Sequence, residues 1–233
     1  MKALSSFDRL LGDPTIRVHL IFVVRQEHED EFKLRTHLHD VLCSMGSDRI
    51  THTFVMMNCD TRGAVETCLL AEGALDLNAP LVVMDCDLFF RSSEYDRLLK
   101  AMARKERDAH GNLIGGLLVH FRSKAPRYSY ALIDPETGYV TKTAEKIPIS
   151  DHSLIGAYGF GSGRLFVDAA RELMVAPIDP DKGMREYYVS LLFNTMLSHG
   201  EKVVAVPRDE YASFGTPDEL AKYLAGEPSY VAE

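Results

Sequence analysis

The run Ala79-Pro-Leu-Val-Val-Met-Asp-Cys-Asp-Leu-Phe-Phe90 constrains this chain more than any other stretch. Leu81 to Met84 are consecutive apolar residues, bounded by Pro80 on one side and by two carboxylates, Asp85 and Asp87, on the other. A short, unbroken apolar run reads as a strand buried on both faces, as in the parallel sheets of α/β proteins. In open α/β sheets, ligands bind at the carboxyl ends of such strands. Two acidic side chains there, with no basic residue between them, suit a hard divalent cation. Magnesium is typically held by one or two carboxylates plus substrate phosphates. The plainer alternative is that one carboxylate caps a turn and the other is solvated.

The rest of the composition narrows the class. A chain of 233 residues suits one domain, residues 1–233, with a sizeable core. Hydrophobic content of 46% and charged content of 26% are those of a globular protein. No apolar run approaches the roughly 20 residues that span a bilayer, and Met1 to Phe7 lack the apolar core of a secretory signal. Cys43, Cys59, Cys68 and Cys86 lack C-x-x-C spacing and lie in or beside apolar runs. They predict buried, reduced thiols in a cytoplasmic protein rather than a zinc site. A net charge of -8 argues against nonspecific binding to nucleic acid or to an anionic membrane. Any phosphate of a substrate therefore needs locally placed cations or a metal.

Along the chain, strands alternate with helical segments. The patterns predict strands over 17–24, 50–57, 81–84, 113–121, 155–160 and 203–206, and a hairpin of 128–133 and 138–143 around Asp134-Pro-Glu-Thr-Gly138. Gly115-Gly116 suggests a bulge or a close backbone approach. Helices are expected over 29–45, stopping at Gly46, and over 94–107, 163–174 and 186–199. Thr61 is a candidate N-cap for the helix that follows it, as is Thr216 with Pro217 at the first helical position. The order implies one α/β domain with a mixed sheet.

An ordered series of segments carries a resemblance. Thr61-Arg-Gly-Ala64, Val83-Met-Asp-Cys-Asp87, Ala144-Glu-Lys-Ile-Pro-Ile-Ser-Asp-His152, Gly156-Ala-Tyr-Gly-Phe160, Glu186-Tyr-Tyr188 and Phe214-Gly-Thr-Pro-Asp-Glu-Leu220 follow one another along the chain. Together they resemble the sugar-1-phosphate nucleotidyltransferases, also called nucleoside-diphosphate-sugar pyrophosphorylases, from about residue 16 to 224. The resemblance implies a three-layer α/β/α nucleotide-diphosphosugar transferase fold, GT-A or Rossmann-like, with a mixed and mostly parallel sheet. It also implies a reaction in which a sugar phosphate attacks the α-phosphate of a nucleoside triphosphate and releases pyrophosphate, with magnesium as cofactor, for polysaccharide precursors.

Residue by residue, Asp87 falls on the family's metal-binding aspartate, and Asp85 is an additional carboxylate beside it. Thr61, Arg62 and Gly63 fall where nucleobase and ribose are held. Glu145 and Lys146 fall on the family's E-K motif, where lysine meets the sugar-side phosphate as a mobile point charge. Gly156 and Tyr158 would line the sugar pocket, and Glu186 falls where sugar hydroxyls are recognised. Each has a plainer alternative. Gly63 would merely start a helix, Lys146 would be a solvated strand-end lysine, Tyr158 would be core, and Glu186 would be a first-turn carboxylate favoured by the helix dipole.

Two departures accompany the resemblance. The family's first strand and glycine-rich phosphate loop have no counterpart before Arg17, so either they lie upstream in a longer chain or triphosphate binding has been lost. The family's second metal carboxylate is here Ser213. Three function classes follow: a nucleotidyltransferase, a GT-A glycosyltransferase using Asp85-Cys86-Asp87 as a D-x-D site, and a noncatalytic homologue that binds a nucleotide sugar. The expected partners are a nucleoside triphosphate or nucleotide sugar and a phosphorylated sugar, with a homo-oligomer left open. Other chemistries fit less well. The histidines do not form H-E-x-x-H, Gly161-Ser162-Gly163 lacks the nucleophile-elbow frame, and Arg122, Lys124 and Arg127 read as a solvated or sugar-phosphate-facing loop.

Overall fold

Residues 2–44, 48–178 and 185–228 are described by the structure, a computed structural model. The apolar runs form strands β1 (Val18–Arg25), β2 (Ile50–Met57), β3 (Leu81–Met84), β4 (Leu88–Arg91), β5 (Ile114–Arg122), β6 (Ser129–Ile133), β7 (Val140–Glu145), β8 (His152–Phe160), β9 (Lys202–Pro207) and β10 (Glu210–Ser213). The helices are α1 (Asp8–Leu11), α2 (Gln26–Phe32), α3 (Leu34–Ser44), α4 (Ala64–Leu69), α5 (Ser93–Ala103), α6 (Gly163–Val175), α7 (Val189–Ser198) and α8 (Pro217–Leu224).

Several boundaries differ from the sequence reading for local reasons. The helix expected over 29–45 is two helices, because Lys33 takes a left-handed conformation (φ 52°) that closes α2 and starts α3; its expected stop at Gly46 lies outside the described residues. Thr61 does not cap α4. Gly63 holds that position, and the Thr61 hydroxyl lies 2.6 Å from that of Thr67. Glu186 precedes α7 rather than lying in its first turn. Strands β4 and β10 had no expectation of their own; among the described residues they pair with each other, from Glu210↔Arg91 to Ser213↔Leu88. The caps of α5, α6 and α8 are Ser92, Ser162 and Thr216, each accepting the backbone amide three residues on. The cysteines are free thiols as expected but not buried: Cys43, Cys59 and Cys86 are exposed and Cys68 is half-buried.

The main sheet has six strands among the described residues. β3, β5, β6 and β9 share one direction, and β7 and β8 oppose them, so the sheet is mixed with most strands parallel in sense. Because the reversed β8 lies at its centre, most hydrogen-bonded neighbours are nevertheless antiparallel. One edge of β8 pairs with β5. The other edge is shared, with Ser153 opposite Tyr130 of β6 and Tyr158 opposite Val83 of β3. Gly156 lies between these two halves, where β3 ends.

Apolar layers cover both faces. α6 and α7 place Phe166, Leu192, Phe193 and Met196 against Leu118, Leu154 and Phe160. On the opposite face, α5 and the β4–β10 ribbon place Leu98, Met102 and Phe90 against Leu117, Val119 and Ile155. This is the expected three-layer arrangement. β1 and β2 form a separate parallel pair, in register from Val18↔Ile50 to Arg25↔Met57. No described helix is long and apolar enough to cross a membrane.

Candidate active site

The cleft is built where β3 runs out. After Met84 the chain turns through Asp85, Cys86 and Asp87 before β4 begins. The Asp85 amide donates to the Gly156 carbonyl (3.0 Å), extending the β3–β8 ladder by one bond. Gly156 has φ 89°, and a Cβ there would collide with the Asp85 carboxylate and with Leu88. Only glycine lets β8 pass this close under Asp85. Asp87 is fixed from the other side: its carbonyl accepts the Phe214 amide (2.9 Å), and its carboxylate lies against Gly215.

Opposite Asp85, the end of β7 supplies Glu145 and Lys146. Glu145 accepts hydrogen bonds from the hydroxyls of Ser129 on β6 and Ser190 on α7. Lys146 is exposed, has φ 56°, and donates its amide to the Tyr128 carbonyl (3.0 Å). A left-handed conformation in a non-glycine residue is uncommon, and such strain clusters at functional sites. Its ammonium lies 3.3 Å from the Tyr188 hydroxyl, and this bond raises the lysine's pKa against the small opposing effect of burial. Lys146 is thus held rather than freely solvated.

The floor of the cleft is apolar. Tyr158 is buried, 6.0 Å from Phe193 between ring centroids, and its hydroxyl reaches Ser129. Burial, then negative Asp85 and Glu145, raise its pKa well above the ordinary phenol value. Asp85 is open to solvent on the cleft side yet packed from below. That packing, with the charges of Asp87 and Glu145, pushes its pKa up to about 7. Cys68 of α4 is near enough that burial and Asp85 together push its thiol up to about 12.

The loop before α4 closes one end. Gly63 has φ 124°, and a Cβ would fall 2.7 Å from the Tyr187 amide nitrogen. The glycine is therefore required by the strand-like pairing of this loop with 186–187, in which Tyr187 donates to the Arg62 carbonyl (2.8 Å) and Val65 to that of Tyr187 (3.0 Å). Arg62 is tied to Glu66 of α4 (2.8 Å) and stands over the Tyr187 ring. Exposed Glu186 follows on the paired segment, close enough to Lys146 to act on its charge.

The structure thus brings Asp85, Glu145, Gly156 and Tyr158 into direct neighbourhood, and sets Asp87, Lys146, Glu186 and the 61–63 loop around them. Sequence reasoning did not single out Ser129, Ser190 or Tyr188, whose roles arise from neighbours remote along the chain. Two more defined surface hollows lie elsewhere, one lined by Asp168, Glu172, Met196 and His199, the other by His110, Asp134, Tyr139 and Lys202. The candidate site is an open cleft.

As a metal site the cleft offers carboxylates of one turn. No group of three or more His, Cys, Asp or Glu side chains among the described residues is arranged to hold a metal by itself. The pair Asp85 and Asp87 fits magnesium, whose remaining ligands are usually water and substrate phosphate. The raised pKa of Asp85 comes first from burial and then from the negative charges of Asp87 and Glu145, both of which a cation bound there would offset.

A mixed sheet between two covering layers, with acidic residues at the carboxyl end of β3, makes the chain an α/β protein, and its structural neighbours give it the nucleotide-diphosphosugar transferase fold. Solved structures agree. A nucleoside-diphosphate-sugar pyrophosphorylase from Vibrio cholerae RC9 superposes with a TM-score of 0.74 at 21% identity, over 96% of this chain and 86% of that one. A protein from Bacillus anthracis assigned as a glucose-1-phosphate thymidylyltransferase, solved with sucrose, gives 0.62 at 18% identity over 91% and 77%. A UDP-glucose pyrophosphorylase in complex with UDP-glucose gives 0.62 at 15% identity over 89% and 81%. At these identities the likeness is one of fold. No protein-family model matches the chain, and no curated protein matches it in sequence.

Proposed function

We propose that this chain is a sugar-phosphate nucleotidyltransferase. In the proposed reaction, a phosphate oxygen of the sugar phosphate attacks the α-phosphorus of a nucleoside triphosphate. The bond from that phosphorus to the oxygen bridging the β-phosphate breaks, and pyrophosphate leaves with the electron pair. The observation that carries the reading is the gathering of Asp87 and Glu145 about Asp85, which lies against Gly156, with Lys146 next to Glu145, on a fold shared with pyrophosphorylases.

In this reading Asp87, helped by Asp85, holds magnesium, which when bound neutralises phosphate charge. Lys146 grips the phosphate of the sugar, with Tyr188 holding its ammonium in place. Glu145, oriented by Ser129 and Ser190, and Glu186 offer acceptors for sugar hydroxyls. Gly156 lets the Asp85 carboxylate sit close over β8, and buried Tyr158 forms the floor rather than a wall. The 61–63 loop faces the nucleobase and ribose. The free thiols and the acidic net charge fit a cytoplasmic setting.

The test is a pyrophosphate-release assay over a panel of nucleoside triphosphates and sugar 1-phosphates, with and without magnesium. Magnesium-dependent release with at least one pair is expected, and Asp87→Ala should abolish both release and magnesium-dependent nucleotide binding while leaving the thermal midpoint near that of the parent. Binding of nucleotide sugars with no release from any pair would overturn the reading in favour of a glycosyltransferase or a binding protein.

A further inference from the structure

At the edge of the cleft, Arg127 and Glu219 form an ion pair that the reaction above does not use. Glu219 is the third residue of α8, and a carboxylate at that position commonly reaches back to the amide of the N-cap residue. Here it turns inward. Its Oε2 accepts the Ser213 hydroxyl (2.9 Å), its Oε1 pairs with Arg127 Nη1 (2.8 Å), and the side chain is only 9% exposed. A Cβ on Gly215 would lie 3.7 Å from Glu219 Oε2 and would collide with Asp87 Oδ2. The Glu219 and Asp87 carboxylates therefore face each other across Gly215.

Arg127 is the exposed member of the pair, with 43% of its side chain open to solvent. Its Nη2 donates to the Tyr128 hydroxyl, and the guanidinium stands 4.7 Å over that ring. Tyr128 in turn receives the Lys146 amide, so Arg127 and Lys146 flank the same rim. The cleft is rich in carboxylates: Asp85, Asp87, Glu145 and Glu219. A phosphate chain entering it needs cations beyond a metal, and a guanidinium matches a phosphate with two parallel donors where an ammonium offers a point charge. If Arg127 leaves, Glu219 keeps the Ser213 hydroxyl and the positive N-terminal end of α8, so it does not become an uncompensated buried charge.

We propose that Arg127 is a phosphate-binding residue of this cleft: it takes the phosphate chain of the nucleotide beside Asp87, and Glu219 holds the guanidinium while the cleft is empty. The inference rests on the nucleotidyltransferase reading and adds a residue to it. Glu219 is then a competitor for Arg127, and this separates the proposal from a merely structural ion pair.

The experiment is calorimetric titration of the full chain with magnesium pyrophosphate and with the magnesium complexes of the nucleoside triphosphates, on the parent and on Glu219→Gln, Arg127→Lys and the double variant Arg127→Ala/Glu219→Gln. The double variant strands no carboxylate and so protects the fold, which the thermal midpoint checks. Glu219→Gln should tighten binding by about threefold or more, as expected for loss of a partly exposed competing ion pair. The double variant should weaken binding by about tenfold or more, as for loss of a charge-assisted hydrogen bond. Arg127→Lys should fall between the parent and the double variant. Binding by Glu219→Gln no tighter than the parent, or parental binding by the Arg127 variants, would overturn the proposal while leaving the nucleotidyltransferase reading intact. A parent chain that binds neither pyrophosphate nor any triphosphate would overturn both.

Discussion

β1 and β5 are similar strings that meet different fates. β1 carries Leu20-Ile-Phe-Val-Val24 and β5 carries Leu117-Leu-Val119 flanked by Ile114 and Phe121. Every residue of β5 except Arg122 is buried, whereas in β1 only Val24 is. β5 runs between β8 and β9 and meets an apolar layer on each face; β1 pairs with β2 alone, and neither strand joins the two core clusters. An apolar run specifies that a strand forms, since it is the side chains that make the pleated surface. How much of it leaves water depends on layers supplied from elsewhere in the chain.

The largest effect expected from this contrast is at Phe193, which is fully buried and stacks 5.0 Å from Phe160. Phe193→Ala should cost about 3–5 kcal/mol in urea unfolding. Gly156→Ala comes next, because the new Cβ meets both a positive φ and the Asp85 carboxylate. A loss of about 1–3 kcal/mol, together with weakened magnesium-dependent nucleotide binding, is expected by the same measurement and by calorimetry. Unchanged stability and binding would show that the body yields at its site as easily as β1 and β2 would.

Asp85 gives a smaller effect with a definite sign. Its folded pKa, about 7, lies above the ordinary 3.8, so the folded state favours the protonated form. Without divalent cations, the contribution of Asp85 to stability should be fully present below about pH 4 and be lost as pH rises towards 7. Asp85→Asn should remove that decline, worth roughly 1–2 kcal/mol at pH 8 once solvent screening is allowed for. Thermal midpoints of parent and Asp85→Asn at pH 5 and pH 8, with and without magnesium, test it, and a difference between the two chains that does not grow with pH in the absence of magnesium would refute the assignment. Phe22→Ala in β1 closes the series. Phe22 is half-buried against Phe54, 5.3 Å away, and its loss should cost about 1–2 kcal/mol, well under half the effect at Phe193. Equal costs at the two positions would break the comparison.

The candidate site was legible to the extent that its chemistry lies on single short segments. Asp85 and Asp87 could be placed at a strand end because an apolar run stops there. Lys146 and Glu145 lie next to each other, and Thr216 with Pro217 announces a helix start. Glu219 was visible only as part of that start. Its inward turn towards Ser213 and Arg127 depends on how α8 sits against β10 and the loop before β6, which no local pattern encodes. Gly63 was expected to admit a ligand, and the close approach proved to be that of the 186–187 backbone. β4 and β10 escaped notice because each is defined by its pairing with the other, a segment far along the chain.

By itself, then, the sequence determined the alternation of strands and helices, the mixed α/β class, the cap at Thr216, and the placing of two carboxylates at a strand end. These follow from side-chain periodicity, backbone preference and capping, all of which act over a few residues. The tertiary structure alone decided that β8 runs reversed between β3 and β5, that its two halves serve different neighbours on either side of Gly156, and that Asp85 shares its cleft with Glu145 while Glu219 faces Asp87. Those outcomes depend on contacts between segments scores of residues apart, where burial and charge act through space and leave no mark on either segment read alone.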